Sequence, residues 1–266
     1  MKSINECRLF EGPYCLNMQT LSEPHKKIIM PYTKYVFDNT RWFYLYPVSG
    51  SRVYLKYDLA PKNGINDFSY HMLTLDARHY YELSYNGKIS FASRIYAGTS
   101  WGENKRQYAI GGTPWAASSD SDLINTGYQT NLNETGDDYY YMNNFAFPIR
   151  GYELGTRYGN KALLMNFELR LPMLMYYFPT IEYLGQLFGV FFVDMGVAWN
   201  DDLPNYHSRS SWEDNNDGEG WIMSYGFGPR FIFLGMPWKL DYAWEYDPYE
   251  GKKSDRKWYL SIGLDF

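Results

Sequence analysis

The last nine residues of the chain alternate strictly between apolar and polar side chains. The apolar face carries Trp258, Leu260, Ile262, Leu264 and Phe266, and the opposite face carries Tyr259, Ser261, Gly263 and Asp265. A strand of about nine to eleven residues with one apolar face suits a transmembrane β-barrel, because one side contacts lipid and the other a polar lumen. The edge strand of a soluble sandwich also alternates, so this strand alone leaves both architectures open.

Composition narrows the class of protein. Aromatic residues make up 20% of the chain, with 28 Tyr, 16 Phe and 9 Trp, and Tyr and Trp concentrate at membrane–water interfaces. The mean hydropathy is -0.49, and the sequence has no apolar run of roughly eighteen residues, which excludes a helical membrane protein. The net charge of -5 includes no basic cluster, which argues against a nucleic-acid partner.

Nine stretches have the alternation or the apolar character of β-strands. Their approximate bounds are 34–46, 50–60, 67–83, 87–101, 161–171, 187–199, 221–234, 237–247 and 257–266. In the stretch 237–247, aromatic residues such as Trp238 and Trp244 alternate with charged residues such as Lys239 and Asp241. This pattern is typical of a strand between lipid and a wet lumen.

Short and long connections alternate between these stretches. Tight turns are predicted at 47–50, 85–88 and 234–237, and longer polar connections at about 60–66, 102–160, 200–220 and 248–256. Outer-membrane barrels show this difference between periplasmic turns and extracellular loops. The sequence therefore predicts an all-β fold, an antiparallel transmembrane β-barrel over 34–266, in which 102–160 is a long extracellular loop. The apolar connection 172–186 fits either a short interfacial helix or a strand extension with a turn.

Several features indicate a longer protein. Single-chain bacterial barrels have an even number of strands and closure leaves no free edge, so nine strands leave edges at 34–46 and 257–266. The segment 1–33 is predicted to be irregular, and its start lacks the apolar core of a signal peptide. Its cysteines, Cys7 and Cys15, are compatible with a local disulfide and equally with two free thiols. We expect this chain to be the C-terminal part of a barrel protein.

Motifs for catalysis or metal binding are weak. The G-x-S-x-G match at 98–102 needs a strand–turn–helix, and the residues after it have no helical periodicity. His71 and His79 lie eight residues apart, which is about 26 Å along a strand and too far for a shared metal. The acidic stretch 213–219 lacks the full calcium-loop pattern. We therefore predict no enzymatic activity, no cofactor and no metal.

The end of the long loop carries the most specific constellation. The loop ends near Ile149, Arg150, Gly151 and Tyr152, and the next two strands contain Glu168 and Asp194. An arginine fork binds carboxylates well, so an ion pair in the lumen would hold the loop inside the barrel.

These motifs resemble the outer-membrane assembly-factor superfamily, which includes BamA, TamA and the two-partner-secretion transporters and is also called the bacterial surface antigen family. Its V/I-R-G-F/Y motif, at the tip of a loop that folds back into the barrel, is matched at 149–152. Its N-x-E-x-R-x-P and F-x-D-x-G strand patterns are matched at 166–172 and 192–196. The resemblance implies that Arg150 pairs with Glu168 and Asp194 in the lumen. It also implies a C-terminal assembly signal, carried here by Gly263, Leu264 and Phe266.

The resemblance also implies a function. Family barrels have sixteen strands, of which this chain would hold the last nine, and they insert or translocate polypeptides at the outer membrane of Gram-negative-type bacteria. A weak seam between first and last strand opens laterally, with no cofactor. The expected partners are outer-membrane lipid, unfolded outer-membrane or secreted polypeptides, and N-terminal domains of the same protein.

The alternative is a non-catalytic membrane anchor or surface antigen barrel for an N-terminal propeller domain. Residues 35–40, 50–52 and 111–115 resemble barrels that are attached to a β-propeller of Tol-like repeats. A pore or lipid exporter and a soluble β-sandwich binding module are further alternatives.

Overall fold

The computed structural model describes residues 28–43, 46–84, 89–113, 116–118, 143–146, 148–153, 155–172, 187–213, 218–252 and 256–263. The strands within these ranges are, in chain order, β1 (Tyr32–Asp38), β2 (Arg41–Phe43), β3 (Tyr46–Ala60), β4 (Tyr70–Glu82), β5 (Ser90–Gly102), β6 (Gln107–Ile110), β7 (Ala116–Ser118), β8 (Asn143–Ala146), β9 (Arg157–Gly159), β10 (Lys161–Pro172), β11 (Phe188–Trp199), β12 (Gly220–Phe233), β13 (Met236–Asp247), β14 (Gly251–Lys252) and β15 (Lys257–Ile262). The described part of the chain contains no helix that is long and apolar enough to cross a membrane.

One antiparallel sheet forms the wall of the molecule. Its main order is β1-β3-β4-β5-β10-β11-β12-β13-β15, and each strand pairs antiparallel with the next. These nine strands correspond to the nine predicted stretches, so the all-β, antiparallel prediction is confirmed. The sheet does not close on itself within the described residues, since β1 lies at one end of the order.

The two faces of the wall differ in chemistry because successive side chains of a strand point to opposite sides. Strand β10 shows this most clearly, since buried and partly exposed residues alternate along its whole length. Asn166, Glu168 and Arg170 are buried on the inner face, whereas Phe167 and Leu169 lie on the outer face. An apolar outer face and a polar inner face are what a barrel wall in a membrane requires.

The wall is strongly curved. Strands β3 and β11 are four steps apart in the sheet, which would separate them by roughly 19 Å if the sheet were flat. Instead, the rings of Tyr46 and Phe188 pack edge-to-face with centroids 4.7 Å apart. Arg170 on β10 also donates to the Pro47 carbonyl at 3.2 Å. The start of β3 therefore crosses the concave side, which is the inner side.

The predicted tight turn at 47–50 is wrong, because these residues belong to β3. Gly50 has φ 98 and lies beside Asn39, where β1 ends and the pairing continues through β2. Asn39 and Ser51 exchange hydrogen bonds there, since Asn39 N–H donates to the Ser51 carbonyl and Ser51 N–H to Asn39 Oδ1. A glycine with positive φ thus marks an irregularity between paired strands, which the sequence alone does not distinguish from a turn.

The predicted turn at 234–237 is a two-residue hairpin. Phe233 and Met236 are paired, and the intervening Leu234 and Gly235 have φ values of 53 and 74. Positive φ at both positions defines the turn type that suits the twist of paired strands. The turn predicted at 85–88 lies outside the described residues, although Glu82 and Ser90 on either side of it are paired.

The described residues of the long connection between β5 and β10 include short strands. Its strands β6, β8 and β9 form a small separate sheet in the order β8-β6-β9. Its strand β7 pairs antiparallel with β15, with Ala117 opposite Leu260. The expectation of a free edge at 257–266 is therefore wrong for 259–261, because the long connection itself pairs with the edge of the last strand there.

Some predictions fall outside the described residues. These are most of the irregular segment 1–33, nearly all of the connection 172–186, and Leu264 and Phe266 of the expected assembly signal. Gly263 is described, and its N–H donates to the Pro237 carbonyl at 3.0 Å.

The pairing of β7 with β15 is tested by a disulfide. With Cys7 and Cys15 replaced by Ser, an Ala117→Cys, Leu260→Cys pair is expected to cross-link on mild oxidation, because directly opposed residues have Cα atoms about 4.5–5.5 Å apart. Mobility on a non-reducing gel measures the bridge. A control pair, Ala117→Cys with Ile232→Cys on β12, should stay reduced. A folded protein in which neither pair cross-links would contradict this register.

Candidate functional site: a buried arginine centre

The tip of the long connection lies against the inner face of the wall. Its backbone turns at Gly151, which has φ 99, a conformation that residues with a side chain rarely adopt. A Cβ at this position would lie 3.3 Å from Ser224 Cβ on β12. Glycine thus lets the tip approach the wall closely enough for its neighbour Arg150 to reach into the strands.

Arg150 makes four hydrogen bonds to two carboxylates. Its Nε donates to Asp194 Oδ2 at 2.7 Å and its Nη2 to Asp194 Oδ1 at 2.8 Å, which is a two-pronged contact. Its backbone N–H donates to the same Oδ2 at 3.1 Å, and its Nη1 donates to Glu168 Oε1 at 2.9 Å. Charge-assisted, bidentate bonds of this kind are strong and directional, so they define both the position and the orientation of the tip.

Further charges complete the centre. Arg170 donates to Glu168 Oε2 at 2.8 Å, and Asp241 lies 2.7 Å from Arg230 and 3.7 Å from Arg150. The connected groups are three cations, Arg150, Arg170 and Arg230, and three anions, Glu168, Asp194 and Asp241. Their charges sum to zero, which is what makes burial of so many ions tolerable away from water.

The guanidinium of Arg150 is permanently charged. Burial by itself would lower the pKa of Arg150, but Asp194, Glu168 and Asp241 together raise this pKa above its usual value. The face of the guanidinium also rests on Phe192, with Cζ 3.6 Å from the ring centroid, which is a cation–π contact. The guanidinium of Arg150 is therefore held both by its ion pairs and by its packing on the Phe192 ring.

Asn166 and Tyr259 hold the backbone of the tip. Asn166 Nδ2 donates to Asp194 Oδ1 and to the Pro148 carbonyl, both at 2.8 Å. Gly151 N–H donates to the Tyr259 hydroxyl on β15 at 3.0 Å. The tip is therefore bonded to β10 and β11 on one side and to the last strand on the other.

Glycines on the inner face make room for the connection. A Cβ on Gly196 of β11 would overlap with the Ile149 side chain, and a Cβ on Gly98 of β5 would overlap with the ring of Tyr108. The Tyr108 hydroxyl donates to the Leu73 carbonyl at 3.2 Å and lies 3.1 Å from Thr74 Oγ1. Burial raises the pKa of Tyr108 to about 12, so it packs there as a neutral hydroxyl.

The structure brings Arg150, Glu168 and Asp194 together, and Ile149, Gly151 and Tyr152 lie beside them. The Tyr152 hydroxyl donates to the Met223 carbonyl of β12 at 3.0 Å. Gly263 is elsewhere, beyond the end of β15.

Sequence reasoning missed Asp241, Arg230 and the roles of Phe192 and Tyr259. Alternation along β13 and β15 puts Asp241 and Tyr259 on the inner face, but it does not say which loop atoms they meet. Within the described ranges, no group of three or more His, Cys, Asp or Glu side chains is placed to hold a metal ion.

Comparison with known proteins identifies the family and the fold. Residues 20–266 match the Omp85 superfamily domain, and the chain belongs to this superfamily. The fold is similar to that in the crystal structure of BamA from Haemophilus ducreyi lacking POTRA domains 1–3, with a TM-score of 0.59 and 15% sequence identity. The similarity covers 87% of this chain and 41% of that chain, so this chain spans about two fifths of the BamA chain. The barrel architecture predicted from the sequence is thus confirmed.

Removal of the Arg150 guanidinium tests the energetics of the centre. Arg150→Met leaves Asp194 buried without its cation and Glu168 with Arg170 alone, and we expect a loss of about 3–5 kcal/mol in the free energy of unfolding. Urea unfolding followed by tryptophan fluorescence measures it. The matched control is Arg209→Met, because Arg209 pairs with Glu213 and Glu250 in an exposed position and such pairs contribute little. Equal unfolding midpoints for the two variants would contradict the account.

Proposed function

We propose that this chain forms the C-terminal part of a barrel that inserts or translocates polypeptides at the outer membrane of a Gram-negative-type bacterium. Its partners would be membrane lipid, unfolded outer-membrane or secreted polypeptides, and N-terminal domains of the same protein. The proposed role involves movement of strands and polypeptides and requires no cofactor.

The observation that carries the proposal is that one connection contacts both the inner wall and the last strand. Its tip is held by Arg150 in the buried centre, and Gly151 N–H reaches Tyr259 on β15. Its strand β7 pairs with the edge of β15. In the family that the chain resembles, the last strand borders the seam that opens, so a connection with these contacts would couple the lumen to the seam.

Physical chemistry indicates how the coupling would work. The six charges of the centre are mutually neutralised, so withdrawal of Arg150 alone would leave Asp194 uncompensated in a poorly solvated site and would remove one of the two arginines that pair with Glu168. The tip is therefore expected to stay inside while the wall moves. Among the described residues, the contacts to β15 include, by contrast, two hydrogen bonds of the Tyr259 hydroxyl, from Gly151 N–H and to the Tyr152 carbonyl, and the pairing with a three-residue strand. These uncharged contacts are a weaker and more exchangeable attachment than the buried ion pairs. We propose that the wall side of the connection is the fixed support and that the β15 side yields.

A second candidate function, a membrane anchor or surface antigen barrel for an N-terminal propeller, is favoured by the same density of contacts. A centre in which six buried charges are linked also suits a plug that only stiffens a barrel. The likeness of 35–40, 50–52 and 111–115 to propeller-linked barrels is part of this alternative.

Reconstitution of the full-length protein in lipid vesicles separates the two functions. The wild-type protein is expected to accelerate insertion of an unfolded outer-membrane polypeptide, measured as heat-modifiable gel mobility of the inserted product. Arg150→Ala and Asp194→Asn should each reduce this rate strongly, because either change releases the tip. Arg209→Ala, which removes an exposed ion pair, should leave the rate unchanged.

The outcomes distinguish the hypotheses. A folded wild-type protein that does not accelerate insertion of the polypeptide would favour the membrane-anchor hypothesis. Acceleration that is unaffected by Arg150→Ala, with the loop still protected from protease, would contradict the role that we assign to Arg150.

A further inference from the structure

The connection between β11 and β12 lies on the outer face of the wall. Val197 and Trp221 are directly opposite each other in the β11–β12 pair. Their neighbours Gly196 and Ile222 point inward, so the side chains of Val197 and Trp221 point outward. Both are nevertheless buried, because Trp212 of the connection packs onto them. Outward side chains of β10, β11 and β12 adjoin this cluster: Leu163, Met165, Met195, Trp199 and Met223. A polar loop that extended into water would not cover this surface.

The covering segment is held in place by aromatic contacts. The ring of Tyr206 packs edge-to-face on Trp212 and Trp221, with centroids 5.2 and 5.3 Å apart. The two indole rings are stacked at 6.2 Å. Edge-to-face and offset-stacked pairs are the favourable arrangements of aromatic rings, so the three rings form one rigid unit.

The two indole N–H groups of this unit are satisfied within the segment. Trp212 Nε1 donates to the Tyr206 carbonyl at 3.0 Å, and Trp221 Nε1 donates to the Pro204 carbonyl at 2.8 Å. Neither indole therefore needs a water molecule as its acceptor, and both can lie in a poorly hydrated environment. Above the rings, Arg209 pairs with Glu250 at 2.7 Å and ties the segment to the neighbouring connection.

Apolar surface remains exposed on the segment. Leu203 is 54% exposed and Tyr206 is 39% exposed. This surface is continuous with the apolar outer face below it, where Phe191 and Phe227 are exposed and their rings lie 6.3 Å apart. The segment therefore extends the lipid-facing band, with aromatic rings packed on the barrel and the exposed charge of Arg209 on the same segment, which is the combination found at a membrane interface.

We propose that residues 200–213 form a lipid-contacting foot, which rests in the headgroup region of the outer leaflet with Leu203 and Tyr206 directed into lipid. The foot covers the outward side of the strand that carries Asp194 on its inward side. The proposal concerns a lipid surface and is independent of insertase activity.

Spin-label accessibility tests the foot. The full-length protein, with Cys7 and Cys15 replaced by Ser, is folded into vesicles of phosphatidylcholine and phosphatidylglycerol and labelled at Leu203→Cys. A control label is placed at Lys62→Cys, in the exposed connection between β3 and β4. Collisions with oxygen, which concentrates in lipid, are compared with collisions with a water-soluble nickel chelate. The ratio of the oxygen to the nickel rate should be several-fold higher at position 203 than at position 62.

A second pair of variants tests the anchoring of the foot. Trp212→Ala removes the ring that docks the segment and should lower the ratio at position 203 towards that of position 62. Trp101→Ala, on the outward face of β5 and stacked on His71, is the matched control and should leave the ratio high. Equal ratios at positions 203 and 62 in the folded wild-type protein would overturn the proposal. A high ratio at position 203 that persists in Trp212→Ala would overturn the assigned docking role of Trp212.

Discussion

Six buried charges, centred on Arg150, hold the long connection inside the wall, and the rest of the inner face is organised around them. A single guanidinium cannot be buried alone, because its desolvation would outweigh any packing gain. Here Asp194 and Glu168 compensate it, and they are oriented in turn by Asn166 and Arg170. The strands that supply these groups must keep their register, since a slip of one residue would turn every one of them towards lipid.

The same constraint explains the small residues of the wall. A connection fits inside a barrel only where the inner face lacks side chains, and Gly98 and Gly196 provide this space. Gly151 supplies the backbone conformation of the tip. The glycines on the inner face leave space for the enclosed connection, and the polar side chains there form hydrogen bonds and ion pairs with it. The outer face carries aromatic and aliphatic residues because it contacts lipid.

Much of the wall could be predicted from the sequence, because alternation reports directly on a two-faced strand. The nine main strands and the inward direction of Glu168, Asp194 and Asp241 follow from period-two patterning alone. The predicted turn at 47–50 is wrong, since a glycine such as Gly50 has the same local signature inside an irregular strand pair as in a turn. The contact of Tyr259 with Gly151, that of Asp241 with Arg150, and the pairing of β7 with β15 could not be predicted, because they join residues more than ninety positions apart that no local pattern relates. The burial of Trp212 against Val197 has no local signature either, because Trp212 lies in a connection and not in a strand.

Hydrogen exchange at the loop tip measures most directly whether the buried centre holds the connection. The N–H groups of Arg150 and Gly151 donate to Asp194 and Tyr259, so in the folded full-length protein the peptide 148–152 should exchange as slowly as β10. In Asp194→Asn the same peptide should exchange faster, while β10 stays protected. Wild-type exchange at 148–152 as fast as that of the exposed connection 61–67 would contradict the account, because the tip would then spend most of its time outside the wall.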